Sequence, residues 1–259
     1  MNPDISAILS AWPFEPGQLT CRMFTGLDGE ARIQVRLDLG LLQMHADGRP
    51  DGERPFGFGS YLEYFEDQLE SVADQKPLGA EIDDDSEPLK TALTPEDCRV
   101  LRDEAEMFYR RYVALLVLEE FDRVVRDTTR NLRVLDLCQK FAQSDDDRVA
   151  LEQYRPYILM VRTRALASQA LKDNEPKAAV HALDDGLEQM KRHFAEHGGP
   201  QAFENSNEAA VLRNMREALV PKLPISQRSE LKARLAKAIA DENYELAAIL
   251  RDELKQLKD

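Results

Sequence analysis

The residues best suited to chemistry by type and spacing are His193 and His197, four apart and so on one helical face, the interval at which two imidazoles hold a zinc ion. The glutamate that follows the first histidine in a His-Glu-x-x-His arrangement is absent, since Phe194 stands there, and the pair falls where a helix should end. Both are therefore expected to act as cations at a helix carboxyl terminus. His45 and His181 lie far from them in the chain. The adjacent carboxylates Glu119 with Glu120 and Asp184 with Asp185 diverge around a helix and read as solvated surface. Cys21, Cys98 and Cys138 are odd in number, far apart and without a Cys-x-x-Cys pair, which predicts free thiols and neither a disulfide framework nor a zinc knuckle. The stretch from Asp47 to Pro55 lacks both the Gly-Lys-Ser/Thr ending of a phosphate loop and the Gly-x-Gly-x-x-Gly spacing of a dinucleotide turn, so a turn-rich connection is expected. No serine occupies a Gly-x-Ser-x-Gly elbow. No catalytic, cofactor-binding or metal-binding residue is assigned on these patterns, no cofactor is expected, and the chain reads as a non-enzyme.

The elements that would position side chains are clearest over residues 226–259. After Ser226, a suitable N-cap, Leu231, Leu235, Ala238 and Ile239 recur on one helical face. Asp241, Glu242 and Asn243 suit a tight turn, and a second helix from Tyr244 to about Leu257 puts Tyr244, Ala247, Ala248, Arg251, Leu254 and Leu257 on a shared face. The paired alanines let two antiparallel helices approach to about 8 Å. Leu246 and Ile249, three apart, make a further apolar stripe. A two-helix hairpin has no room to bury both stripes internally, so one must meet the rest of the chain or another molecule.

The run from Ala238 to Leu254, with its alanine, acidic turn, Tyr244-Glu245, Ala247-Ala248 and Arg251-Asp252, resembles the UVR motif of UvrB and UvrC, which also occurs in Clp-type ATPases and in activators of protein arginine kinases. The resemblance implies a docking hairpin without chemistry of its own, and hence a protein–protein interaction adaptor. It implies a protein-binding surface made of Leu231, Leu235, Tyr244, Glu245, Leu246, Ala247, Ala248, Ile249, Arg251, Asp252 and Leu254, gripping either a protein partner or a second copy of the hairpin. In that role Tyr244 packs the turn, Ala247 and Ala248 set the close helix contact, and Arg251 with Asp252 pair across the hairpin or to the partner. Leu246 and Ile249 depart from the pattern, standing where polar residues are common.

Composition limits the alternatives. A hydrophobic content of 43% over 259 residues suffices for a core. A net charge of −14 opposes binding to a polyanion, because affinity for nucleic acid comes largely from cations that displace counterions along the phosphates. Direct nucleic-acid binding is therefore disfavoured, and a part in nucleotide excision repair rests on family analogy alone. No run of apolar residues is long enough to span a membrane, and Met1-Asn2-Pro3-Asp4 lacks the features of a signal peptide, so a cytoplasmic protein is expected.

The fold class reads as mainly α, in four segments. Residues 1–73 form a small α+β unit. There a short helix over residues 5–11 precedes a β-hairpin, Leu19–Thr25 with Ala31–Leu39, and Leu41, Leu42 and Met44 continue or bulge the second strand. Ser60 caps a helix carrying Tyr61, Tyr64 and Phe65. Residues 74–93 are an acidic linker. Residues 94–220 form an antiparallel helical array that opens at Thr94-Pro95-Glu96-Asp97, and Leu159 to Lys191 fits a tetratricopeptide-like frame through Leu166, Ala167, Ala170, Asn174, Ala179, Leu183 and Gly186. A further helix spans about Asn207 to Leu219, and Val220 to Pro224 spaces it from the UVR hairpin at 226–259. A pocket between the amino-terminal strands and the helices would turn the reading towards an enzyme or a small-ligand sensor.

Overall fold

Alternating apolar residues broken by two turns build an antiparallel meander near the amino terminus. The computed structural model describes residues 4–74, 91–219, 227–240, 246 and 249–251, and the chain divides into two compact units, Met1–Arg216 and Glu217–Asp259. Helix α1 (Ser6–Ala11) stops at Trp12, as the residue before a proline must leave the helical region. Strands β1 (Cys21–Thr25), β2 (Ala31–Arg36) and β3 (Leu41–His45) follow in the order β1-β2-β3, with Ile33 paired to Met23 on one side and Met44 on the other.

The third strand corrects the two-stranded hairpin that the alternation predicts. Leu37 N–H donates to the Gly40 carbonyl at 2.9 Å, so the chain reverses directly after Arg36. Leu37 and Leu39 lie on that turn, 45% and 89% exposed, instead of lining the sheet. The reversal seats Met44 beside Ile33 in the core, a burial that a straight extension would forgo. β2 is also not half-buried, because Ile33, Gln34, Val35 and Arg36 are all buried. Its polar side chains tolerate this by finding partners: Gln34 accepts from Arg22 at 2.8 Å and donates to Gln43 at 2.7 Å, and Arg36 donates to the Trp12 carbonyl at 2.7 Å.

Helix α2 (Tyr61–Asp74) starts at Ser60, whose hydroxyl accepts from Glu63 N–H at 3.1 Å. Helix α3 (Pro95–Val117) starts at a full capping box, in which Thr94 and Asp97 bond each other's backbone N–H groups. Glu119 turns the chain with a positive φ of 57°, and α4 (Phe121–Phe141) returns along α3. Leu62, Phe65 and Leu69 of α2, Cys98, Leu101 and Ala105 of α3, and Val134, Leu137 and Cys138 of α4 form one buried cluster with Leu93 and Ala142. The short helix α5 (Asp145–Val149) leads to α6 (Arg155–Lys172) and α7 (Pro176–His197), which fold back on each other around Asn174, in the left-handed region at φ 62°. Two antiparallel helices thus occupy the stretch where the tetratricopeptide-like frame is expected. Gly186 permits the close approach, since a Cβ there would stand 2.2 Å from Thr163 Oγ1. Helix α8 (Pro200–Asn205) was not foreseen in the Gly-Pro stretch, while α9 (Asn207–Leu219) falls where the periodicity places it.

A buried polar joint ties the meander to the helices. Arg111 of α3 and Asp127 of α4, 0% and 1% exposed, form a two-point ion pair at 2.7 and 2.8 Å. The other arm of Arg111 donates to the carbonyls of His45 at 3.1 Å and Gly48 at 2.7 Å. Glu104, fully buried, accepts from the Tyr61 and Leu62 N–H groups that open α2 and pairs with Arg130 and Arg49. The loop from Asp47 to Pro55 is consequently more than a connection: Asp47 pairs with Arg123 at 3.0 Å and Arg126 at 2.5 Å, and Arg49 is buried against Glu104.

In the second unit, α10 (Gln227–Ala240) is followed by residues Leu246 and Ile249–Arg251 in helical conformation.

Candidate functional site

The predicted protein-binding surface is placed only in part. Tyr244, Glu245, Ala247, Ala248, Asp252 and Leu254 lie outside the described residues, as does the side chain of Leu231. The expected turn at Asp241–Asn243, most of the acidic linker and the spacer from Val220 to Pro224 also lie outside them. Among the rest, Leu235 is half-buried and Ala238 is 3% exposed, in keeping with one packed face on α10. Ile239, expected on that same face, is 54% exposed. The 100° step of a helix explains the difference: Ala238 and Ile239 are successive, and a narrow stripe holds only one of two neighbours.

Leu246 and Ile249 are 39% and 58% exposed. Arg251 is exposed, whereas Leu250 is 1% exposed and was not assigned to any face from the sequence. Leu250 follows Ala247 by three residues and precedes Leu254 by four, so the apolar spacing that would have found it was legible. In the second unit Ala238 and Leu250 are buried, while Ile239, Leu246 and Ile249 are exposed.

The largest cavity described lies elsewhere, among helices. It measures about 620 Å³ and is walled by Tyr109 and Tyr112 of α3, Asn131 of α4, and Tyr154 and Tyr157 at the start of α6. No strand residue lines it, so it is not the pocket between strands and helices that an enzymatic reading would place there. Burial pushes the Tyr112 phenol well above its usual range, with Tyr157, Tyr109 and Asp127 adding to the effect, and burial first and then Tyr109 raise Tyr157. Both stay neutral, and they share the lining with the charged side chains of Arg102, Glu106 and Glu208.

The carboxylate pairs are on the surface as expected, each with a basic partner. Glu120 pairs with Arg123 at 2.8 Å, and Asp185 with His181, one helical turn away, at 3.1 Å. The cysteines are free thiols, but Cys98 and Cys138, 40 positions apart in sequence, meet across α3 and α4 and share a hydrogen bond. Burial pushes both thiols up, Cys138 to about 12, so neither is an activated nucleophile at neutral pH.

His193 departs from the expected cationic role. Its side chain is 9% exposed, and burial, with His197 stacked beside it at 4.6 Å, lowers its pKa below the usual imidazole value. A neutral ring is favoured there. His197 Nδ1 donates to the His193 carbonyl at 3.0 Å in the last turn of α7. The partner that the sequence could not supply is Glu152, 5% exposed, which comes from the turn ahead of α6.

The architecture so far is a mainly helical protein with an amino-terminal three-stranded antiparallel sheet and carboxy-terminal helices. Residues 226–259 match the UVR family, described as the UvrB/uvrC motif, so the chain carries a carboxy-terminal UVR motif. That motif suggests a DNA-repair-related or a protein-interaction module. No curated protein and no solved structure matches the chain. Among the described residues, no helix is long and apolar enough to cross a membrane.

Proposed function

We propose that this chain is a non-enzymatic adaptor whose UVR hairpin docks a protein partner while the helical array of the first unit serves as the scaffold. The observation that carries this reading is the exposure of Ile239, Leu246 and Ile249 beside the buried Ala238 and Leu250. Exposed apolar side chains contribute most when another surface covers them, at roughly 25 cal/mol per Å² removed from water. The UVR match over residues 226–259 gives the segment a docking precedent.

Affinity capture from the native cell with the full chain, set against a Leu246→Glu, Ile249→Glu double variant, tests it. Loss of specific partners in the variant, with unchanged circular dichroism, supports docking through this stripe; recovery of the same partners by both proteins refutes it. Sedimentation of the two proteins identifies a second copy as the partner if only the wild type self-associates. The motif also favours a second reading, an accessory role in nucleotide excision repair. The charge of −14 makes that role one of protein contacts, so the captured partners, and not a DNA-binding assay, distinguish it.

A further inference from the structure

At the carboxyl end of α7 two imidazoles meet a carboxylate from a separate element. His193 and His197 lie one helical turn apart, and Glu152 arrives from the turn Glu152–Tyr154, so the three donors are brought together only by the packing of α7 against the segment before α6. One donor atom from each lies within 4.8 Å of the others, and the His193 Nδ1 to Glu152 Oε2 separation is 3.8 Å. That separation is longer than a hydrogen bond and close to the donor spacing around a small cation. Four-coordinate zinc, with ligands at 2.0–2.1 Å, sets its donors about 3.3 Å apart, so small side-chain rotations close the site.

Two further features fit ligation. His197 Nδ1 donates to the His193 backbone carbonyl at 3.0 Å, which assigns the proton to Nδ1 and leaves the Nε2 lone pair available. Glu152 is already oriented, because Arg155 donates to its two oxygens at 2.6 and 2.8 Å. A carboxylate has about four lone-pair directions, and the arginine takes two. We propose that Glu152, His193 and His197 form a divalent transition-metal site, with zinc or a metal of similar preference held by two imidazoles and one carboxylate oxygen and a fourth position left to water. The nitrogen donors select such ions over magnesium and calcium, which prefer all-oxygen shells. Arg155 competes for the carboxylate and keeps the site weaker than a closed structural zinc centre.

Cobalt titration of the untagged, chelator-treated full chain tests the proposal, because four-coordinate cobalt absorbs in the visible and hexaaquo cobalt barely does. One equivalent of cobalt producing intense visible bands, abolished by zinc and unaffected by magnesium, is the expected result. His193→Ala and His197→Ala should each weaken cobalt binding at least tenfold. His197 is exposed, so its variant should retain the circular dichroism of the wild type and separate loss of the site from loss of the fold. Glu152→Gln, which keeps shape and size, should weaken binding while retaining the helices. Absence of visible bands in the wild type with cobalt in excess overturns the proposal, and so do bands of equal strength in both histidine variants.

Discussion

Replacing Arg111 with leucine tests whether the buried joint that pairs α3 with α4 and holds the His45 and Gly48 carbonyls stabilises the fold beyond apolar packing. The guanidinium is fully buried, meets Asp127 at 2.7 and 2.8 Å, and also donates to the His45 and Gly48 carbonyls. Leucine would leave Asp127, 1% exposed, with only the half-exposed Arg126 at 2.9 Å, and would strip two loop carbonyls of their donor. Removing one member of a buried pair costs about 3–5 kcal/mol, most of it from the stranded charge. With a urea slope of roughly 2–3 kcal/mol/M, a loss of ~4 kcal/mol lowers the denaturation midpoint by about 1.3–2 M. The comparison variant is Arg123→Ala, whose pair with Asp47 has side chains 29% and 56% exposed. A solvent-exposed pair of that kind contributes about 1 kcal/mol or less. Urea unfolding followed by circular dichroism reads both. Adding Asp127→Leu to Arg111→Leu should recover part of the loss, because the unpaired charge is then gone. A loss for Arg111→Leu no larger than that for Arg123→Ala would refute the reasoning, as would a double variant less stable than the sum of its parts.

Two further outcomes follow from the same structure. Gly186→Ala places a Cβ 2.2 Å from Thr163 Oγ1 and 2.8 Å from Thr163 Cβ, so overpacking of about 1–3 kcal/mol should outweigh the helix propensity gain of up to ~1 kcal/mol. A melting temperature lowered by several degrees is expected, and an unchanged or raised one would contradict the close α6–α7 contact. Asp47 gives a pH signature: hydrogen bonds from Arg123 and then Arg126 hold its carboxyl below the ordinary value of 3.8. Its contribution is therefore present above the unfolded-state value and is lost as pH falls through the lower folded-state value. Urea midpoints at several acid pH values should show wild type ahead of Asp47→Asn by under about 1 kcal/mol above pH ~4, a gap that closes below it. A gap independent of pH would show that the pairs with Arg123 and Arg126 do not stabilise the fold.

Local patterns were legible where one stretch of chain carries the whole signal. The start of the helical array at Thr94-Pro95, the Ser60 cap and the helix over Asn207 to Leu219 are all decided by neighbours in sequence, and the structure places them as read. The misreadings have a different origin. Leu37 and Leu39 continue the alternation of β2, yet the chain turns back through Gly40 and seats Met44 beside Ile33 in the core. Ile239 is exposed because two adjacent apolar residues, Ala238 and Ile239, offer two faces, and the packing partner chooses between them.

The candidate sites divide along the same line. The carboxy-terminal motif is contiguous, so its residue types and spacing alone sufficed to identify it over residues 226–259. The meeting of Glu152 with His193 and His197, of Cys98 with Cys138, and of Arg111 with Asp127 and two loop carbonyls is absent from any local pattern. Helical periodicity states which face a side chain occupies, but the partner across the interface is set by which helices pack and in what register. That choice rests on burying the whole apolar surface at once, and it is made only when the chain is folded.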